Sequence, residues 1–155
     1  MEDSTMAEQM VDVFAQERRF GTQELIDELL SERQEVLVLF CRLAGIDPYN
    51  HEKSILDELR DFCEILVDYT ALTHFEIYER ILEGKERRQN VIETAEEVHP
   101  RISELTTEIV AFNDKYDESD HALILNHLEN DLSQLGMILA NRIELEDRII
   151  RALQE

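Results

Sequence analysis

Residues 61–82 read DFCEILVDYTALTHFEIYERIL, and their apolar side chains recur at steps of three and four. Ser54 and Asp57, just upstream, have the spacing of a capping box that opens a helix. Apolar residues that recur every three or four positions lie in a line along one face of a helix. This line consists of Ile55, Leu59, Phe62, Leu66, Tyr69, Thr73 and Ile77. The pattern predicts one helix of about 30 residues that ends at Gly84.

A second apolar line on the same helix contains Ile65, Leu72, Phe75 and Leu82, with Asp68 between the first two. It lies roughly 60–100° around the helix from the first line. Either this helix is central and touches two neighbours, or it exposes an apolar strip to a partner. At an interface, Asp68 would accept an arginine and Phe75 would be an apolar anchor. Otherwise Asp68 is exposed, or is paired with an arginine of its own chain.

The rest of the chain also has helical periodicity and no strand-like alternation. Residues 5–19 predict a short helix with Met6, Met10, Val13 and Phe14 on one side, followed by a break at Gly21 and a restart at Thr22. The next helix ends at Gly45, before Pro48. Its apolar line is Leu25, Leu29, Val36, Phe40 and Leu43.

Two long helices complete the chain. One runs from about Glu86 to Tyr116, and Pro100 should kink or locally break it. Its line is Ile92, Ala95, Val98, Ile102, Leu105, Ile109 and Phe112. The last helix follows possible caps at Ser119 and Asp120, and carries Leu125, Leu128, Leu132, Leu135, Leu139, Arg142, Glu146, Ile149 and Leu153. The predicted fold is an all-α, antiparallel four-helix bundle, with residues 1–20 as a helical arm and 21–155 as a single domain.

Arg142 and Glu146 interrupt the apolar line of the last helix with two charges. Residues four apart share a helical face, so these two side chains could pair. We predict that they belong to an internal polar network that specifies helix register, together with His74, Tyr78 and Glu79.

Acidic residues dominate the charge of the chain. Asp and Glu number 36 against 15 Lys and Arg, which gives a net charge of −21. This balance argues against direct binding of nucleic acid or of anionic lipid, and favours a basic protein partner. The alternatives are a solvated acidic surface with no partner, or adaptation to salt. Cys41 and Cys63 lie within helical patterns, which predicts buried reduced thiols in a cytoplasmic protein. No run of apolar residues is long enough to predict a membrane-spanning helix.

No catalytic motif is present: there is no nucleophile elbow, P-loop, dinucleotide fingerprint or HExxH. We therefore expect neither an enzyme nor a cofactor. Two Glu-x-x-His spacings, Glu96 with His99 and Glu118 with His121, have the form used by di-iron bundles. Chance alone produces about one such spacing in a chain this rich in glutamate, so two carry little weight and we expect no metal. A carboxylate-rich metal-binding bundle is kept as the alternative function.

The central helix resembles the signature of the Rsd/AlgQ family of bacterial sigma factor regulators, close to FC-x-x-L-V-D-Y-x-x-x-x-HF-x-x-YE. The matching residues are Phe62, Cys63, Leu66, Val67, Asp68, Tyr69, His74, Phe75, Tyr78 and Glu79. Flanking matches extend the resemblance over roughly residues 22–153, among them Leu25-Ile26-Asp27 with Glu32-Arg33, and Arg142 with Leu145-Glu146-Asp147. Glu28-Leu29 replaces an Arg-Trp pair of the family, and Thr73 replaces a smaller residue.

The resemblance implies a helical bundle that binds the primary sigma factor of RNA polymerase, chiefly its region 4, and keeps it from core polymerase and −35 promoter DNA. Lower housekeeping transcription, as in stationary phase, is the expected result. The second apolar line then becomes the expected contact surface. The expected contact residues are Asp68 and Phe75 of this line, with Leu72 and Ala71 as the adjoining strip.

Overall fold

The computed structural model describes residues 2–46, 54–82, 84, 86–117 and 125–155. No strand occurs in these ranges, which confirms the predicted all-α class. A π-helical segment, Thr73–Tyr78, joins two of the α-helices, and a short 3₁₀ turn, Leu125–His127, precedes the last. The α-helices are α1 (Glu2–Ala44), α2 (Ile55–Leu72), α3 (Glu79–Leu82), α4 (Gln89–Asp117) and α5 (Leu128–Gln154).

Local sequence signals account for several helix ends. The Ser54 hydroxyl accepts a hydrogen bond from the Asp57 amide (3.2 Å), as the predicted cap requires. Gly45 has a φ of 69° after α1. Its backbone amide donates a hydrogen bond to the Arg42 carbonyl oxygen, and the Ile46 amide donates one to the Cys41 carbonyl oxygen. This is a Schellman motif, which satisfies carbonyls at the helix end and confirms Gly45 as its terminator.

The predicted break at Gly21 is wrong, because α1 runs without interruption from Glu2 to Ala44. A helical glycine costs only about 1 kcal/mol relative to alanine, so a single glycine does not force an end. The side chains of Met6, Val13 and Phe14, and the segments with Pro48, Ser119 and Asp120, lie outside the described part of the structure.

The core lies between α1, α2, α4 and α5, where α1 contacts both α2 and α5, and α4 contacts the same two helices. Aromatic rings connect three of them: Phe40 of α1 lies 6.1 Å from Phe62 of α2, which lies 6.1 Å from Phe112 of α4. Gly136 of α5 completes the contact, since a Cβ there would lie 3.0 Å from Phe40 Cζ. Glycine therefore permits the close approach of α5 to this ring.

Most predicted core positions whose side chains the structure describes are buried, and Phe40 and Leu153 are half-buried against the core. Ile55 is 42% exposed at the start of α2, and Ile26 and Val91 are buried more deeply than their predicted neighbours Leu25 and Ile92. One position along a helix turns a side chain by about 100°, so adjacent residues at the edge of an apolar face are easily exchanged.

Of the kink or local break expected at Pro100, the break does not occur, because α4 continues through this residue. Val98 and Ile102 on either side are both buried, so the two halves bury one continuous face. Proline removes one backbone hydrogen bond, and core packing on both sides compensates for this loss.

Candidate functional site

An apolar and acidic strip is exposed along α2 and the π segment. We define the α2 strip as Asp68, Ala71, Leu72 and Phe75. Phe75 is 58% exposed and Asp68 is also exposed, whereas Ala71 and Leu72 are half-buried. Val67, 45% exposed, adds apolar surface beside Asp68. A single exposed apolar side chain is ordinary, but several along one helix face are typical of an interaction site.

The π segment explains why the two apolar lines of the central helix diverge. Tyr69, Thr73, Ile77 and Ile81 are all buried, in three consecutive steps of four. In an α-helix each such step advances about 40° beyond a full turn, which would carry Ile81 away from the core. The π segment accommodates one extra residue and restores the register. Sequence analysis missed this turn, although the repeated steps of four were its signal.

Carboxylates cluster around Glu32 of α1, and Asp68 of α2 is one of them. Partial burial, and then the carboxylates of Glu28, Asp68 and Glu35, raise the pKa of Glu32 above its ordinary value of 4.5. The Glu32 Oε2 atom is buried and has no hydrogen-bond partner among the described residues. This concentration of negative charge beside the α2 strip favours a cationic group of a partner.

Directly beneath this surface lies a buried polar network that centres on Glu146. Its carboxylate accepts hydrogen bonds from Tyr69 Oη, from Arg142 Nη1 and, at 3.1 Å, from Arg33 Nη2. Arg33 Nη1 also donates to Asp147 Oδ1 at 2.7 Å. The network therefore connects α1, α2 and α5 through two arginines and two carboxylates.

Two threonines extend this network to the neighbouring helices. Arg142 Nη2 donates to Thr73 Oγ1 at 2.8 Å, and Arg142 Nε donates to Thr106 Oγ1 at 3.3 Å. Arg142, Glu146 and Thr73 are each at most 1% exposed. We define the buried polar network as Arg33, Tyr69, Thr73, Thr106, Arg142, Glu146 and Asp147.

The electrostatics of the buried polar network suit a structural role. Burial raises the pKa of the phenols Tyr69 and Tyr78, and the Glu146 carboxylate raises both further. Both phenols therefore stay protonated, and both arginines have carboxylate partners. The charges of this network are therefore paired within the protein, as buried charges require.

The structure separates the residues predicted for this network. It brings Arg142 and Glu146 together, with Tyr78 buried nearby. His74 is exposed, its ring against that of Phe75, and Glu79 is half-buried. Among the described residues, no hydrogen bond connects His74 or Glu79 to the buried polar network. The π segment rotates this part of the helix, so helical spacing alone misplaces them.

Sequence analysis missed five network members: Arg33, Thr106 and Asp147, and also Tyr69 and Thr73, which it placed on the apolar line of the central helix. A signal existed for Arg33, which lies midway between Leu29 and Val36 on the buried line of α1. A charge on a core line needs a partner, just as at Arg142. Thr106 lies beside the buried line of α4, and nothing in its local pattern distinguishes it.

The two Glu-x-x-His spacings receive no support as metal-binding sites. Glu96 is exposed, and His99 Nε2 lies 3.4 Å from Ser103 Oγ. In the described ranges, no three His, Cys, Asp or Glu side chains are arranged to hold a metal ion. Glu118 and His121 lie outside those ranges. Likewise, none of the described helices combines the length and apolar character needed to cross a membrane.

Comparison with known families gives one match that spans nearly the whole chain. Residues 6–154 match the family model described as "Regulator of RNA polymerase sigma(70) subunit, Rsd/AlgQ". The match includes the α2 strip and every member of the buried polar network. It describes a regulatory family rather than an enzyme family.

Curated relatives agree with that match. A "Regulator of sigma D" from Yersinia enterocolitica is 36% identical over 142 residues, covering 84% of this chain and 81% of the relative. The protein of the same name from Pectobacterium carotovorum is 33% identical over 140 residues, covering 87% and 91%. Similarity therefore extends over most of each protein.

Proposed function

The chain belongs to the Rsd/AlgQ family of regulators of the RNA polymerase sigma(70) subunit, and we propose that it is an anti-sigma factor of the cytoplasm. It binds the primary sigma factor chiefly through region 4. Binding keeps sigma from core polymerase and from the −35 element, and so lowers housekeeping transcription. Family membership supports the partner.

The exposure of Phe75 is the observation that carries the proposed contact surface. Within the α2 strip, Phe75 is the apolar anchor, and Ala71 and Leu72 supply the adjoining surface. Asp68 accepts an arginine of sigma, and Glu32 adds negative potential beside it. Burial of an aromatic ring next to a desolvated arginine–carboxylate pair is typical of interaction hot spots.

Charge complementarity supports the same partner. The net charge of −21 would steer a basic DNA-binding module toward this protein. Because region 4 reads DNA, the acidic surface competes with the promoter phosphates for it. The protein itself does not contact nucleic acid in this mechanism.

The scaffold we propose is the antiparallel four-helix bundle, residues 21–155, with residues 1–20 as an arm. Arg33 contacts Tyr69, whereas Phe40, later in α1, contacts Phe62, earlier in α2. The contacts between α4 and α5 follow the same reversed order. The unbroken α1 means that the arm continues the first helix of the bundle.

The proposal is tested by titrating the protein against isolated region 4 of its cognate primary sigma factor. Titrations at low salt and at about 0.15 M salt measure the electrostatic part of the affinity. We expect one-to-one binding that weakens with salt. Phe75→Ala and Asp68→Ala should each weaken binding by at least about fivefold.

Two exposed residues on other faces serve as matched controls. Met137→Ala removes an apolar side chain that is 68% exposed on α5, and Asp114→Ala removes an exposed aspartate of α4. Both should leave the affinity within about twofold, because surface residues outside an interface contribute little. If neither Phe75→Ala nor Asp68→Ala weakens tight binding, the contact surface lies elsewhere on the protein. Failure to bind either region 4 or full-length sigma would reject the function.

A further inference from the structure

Thr73 connects the buried polar network to the exposed strip. This residue begins the π segment and is fully buried. Its hydroxyl accepts a hydrogen bond from Arg142 Nη2 at 2.8 Å. The same hydroxyl lies 3.2 Å from Tyr69 O and 3.0 Å from Thr70 O, and its single proton can serve one of them at a time. Thr73 is thus tied to α5 on one side and to its own helix on the other.

These contacts occur where the helix changes register. The Glu79 amide donates a hydrogen bond to the carbonyl oxygen of His74, which lies five residues earlier in the chain; in an α-helix the acceptor lies four residues earlier. A bond of this kind encloses one more residue than an α-helical bond, and the π segment as a whole shifts the following side chains by about 100°, the equivalent of one extra residue. Hydrogen bonds from threonine to its own helix carbonyls favour such distortions.

Phe75 lies within the π segment, whereas Asp68 lies before it in α2. In an uninterrupted α-helix, two side chains seven residues apart differ by only about 20° in direction. The π segment changes this relation, and so determines where the ring lies relative to the carboxylate. A partner that engages both groups would detect the difference.

We propose that Thr73 is a positioning residue for the sigma-binding surface, a role that rests on the proposed function. The Arg142–Thr73 hydrogen bond holds the π segment, and the π segment sets the direction of Phe75. Thr73 itself is buried and makes no contact with the partner. The core of the protein therefore controls the geometry of its binding surface.

The variant that tests this role is Thr73→Val, which has nearly the same shape but lacks the hydroxyl. Thr73→Ser restores the hydroxyl and serves as the rescue. Thr106→Val is the matched control, since Thr106 also accepts a hydrogen bond from Arg142 but belongs to α4. Thr73→Ala removes the hydroxyl without placing a methyl group against Arg142, and is measured if the valine variant does not fold.

Affinity for region 4 is measured for each full-length variant, with circular dichroism to verify folding. Thr73→Val should weaken binding by at least about fivefold, because the displaced Phe75 ring no longer meets the partner in its preorganised position. Thr73→Ser and Thr106→Val should stay within about twofold of the unaltered protein. In a Phe75→Ala background the valine substitution should have no further effect, because it acts through that ring.

Amide hydrogen exchange of the free protein adds a readout that needs no partner. Thr73→Val should change protection across residues 74–79, and Thr106→Val should not. Unchanged affinity in a folded Thr73→Val protein overturns the proposal, as does an equal loss in Thr106→Val or a loss that persists without Phe75. If the unaltered protein does not bind region 4, the proposed function fails, and the positioning role fails with it.

Discussion

Replacing Glu146 with glutamine should destabilise the folded protein more than any other change of a single carboxylate to its amide. The carboxylate accepts hydrogen bonds from Tyr69, Arg142 and Arg33, and its side chain is 1% exposed. Glutamine keeps the volume but removes the charge, and turns one acceptor oxygen into a donor that faces other donors.

The expected magnitude follows from what is left uncompensated. Arg142 is 1% exposed and would retain only neutral acceptors, whereas Arg33 would still have Asp147. Removing one partner of a buried ion pair costs about 3–5 kcal/mol. A domain of this size has a free energy of unfolding of about 5–15 kcal/mol, so the loss is a large part of the total.

Urea unfolding followed by far-ultraviolet circular dichroism measures this change, provided that the slope with urea stays constant. The matched control is Asp147→Asn, which removes the other carboxylate bound to Arg33. The Asp147 side chain is 40% exposed, so its loss should cost at most about 1 kcal/mol. If Glu146→Gln costs as little as this control, the buried polar network does not stabilise the fold as we reason.

Three further substitutions test other parts of the structure. Burial would raise the pKa of Asp131, but hydrogen bonds from Lys115 and Tyr116 lower it. Its charge therefore stabilises the fold above its ordinary pKa of 3.8, and this contribution is lost at lower pH. Asp131→Asn should cost about 1 kcal/mol near neutral pH, a gap that closes in acid urea titrations. Gly21→Ala, with open space around the added Cβ, should increase helicity and stability by up to about 1 kcal/mol; a decrease would contradict an unbroken α1. Gly45→Ala should lower the melting temperature, since its φ of 69° is strained for alanine, and an unchanged value would contradict that turn.

Several features were predictable because they depend on neighbours within a few residues. The caps at Ser54 and Gly45 are examples, since each involves hydrogen bonds over three to five positions. The second apolar line left two alternatives open, and each holds for part of it: Ile65 and Leu72 pack against the core, whereas Phe75 is exposed. The sigma factor as partner came from a family resemblance, which the comparisons confirm at the level of the family.

Local pattern failed at Gly21, where a weak preference had to be weighed against packing, whereas the apolar line across Pro100 correctly predicted one continuous core face. Gly21 and Pro100 both disfavour helix, yet both lie inside continuous helices. Each costs a few kcal/mol at most, and burial of the flanking face can offset that amount. The π segment escaped notice because a single extra residue leaves nearly the same apolar spacing.

The sequence alone determined that this protein is helical, which faces of its helices are apolar, and that Arg142 and Glu146 lie on a core line. Only the tertiary structure decided which groups satisfy them. Arg33 and Glu146 are 113 residues apart in the chain, and Thr73 and Arg142 are 69 apart. Helical periodicity arises from hydrogen bonds between near neighbours, so a short stretch of sequence is enough to predict it. The pairing of distant charges depends on how four helices pack, which no local pattern records.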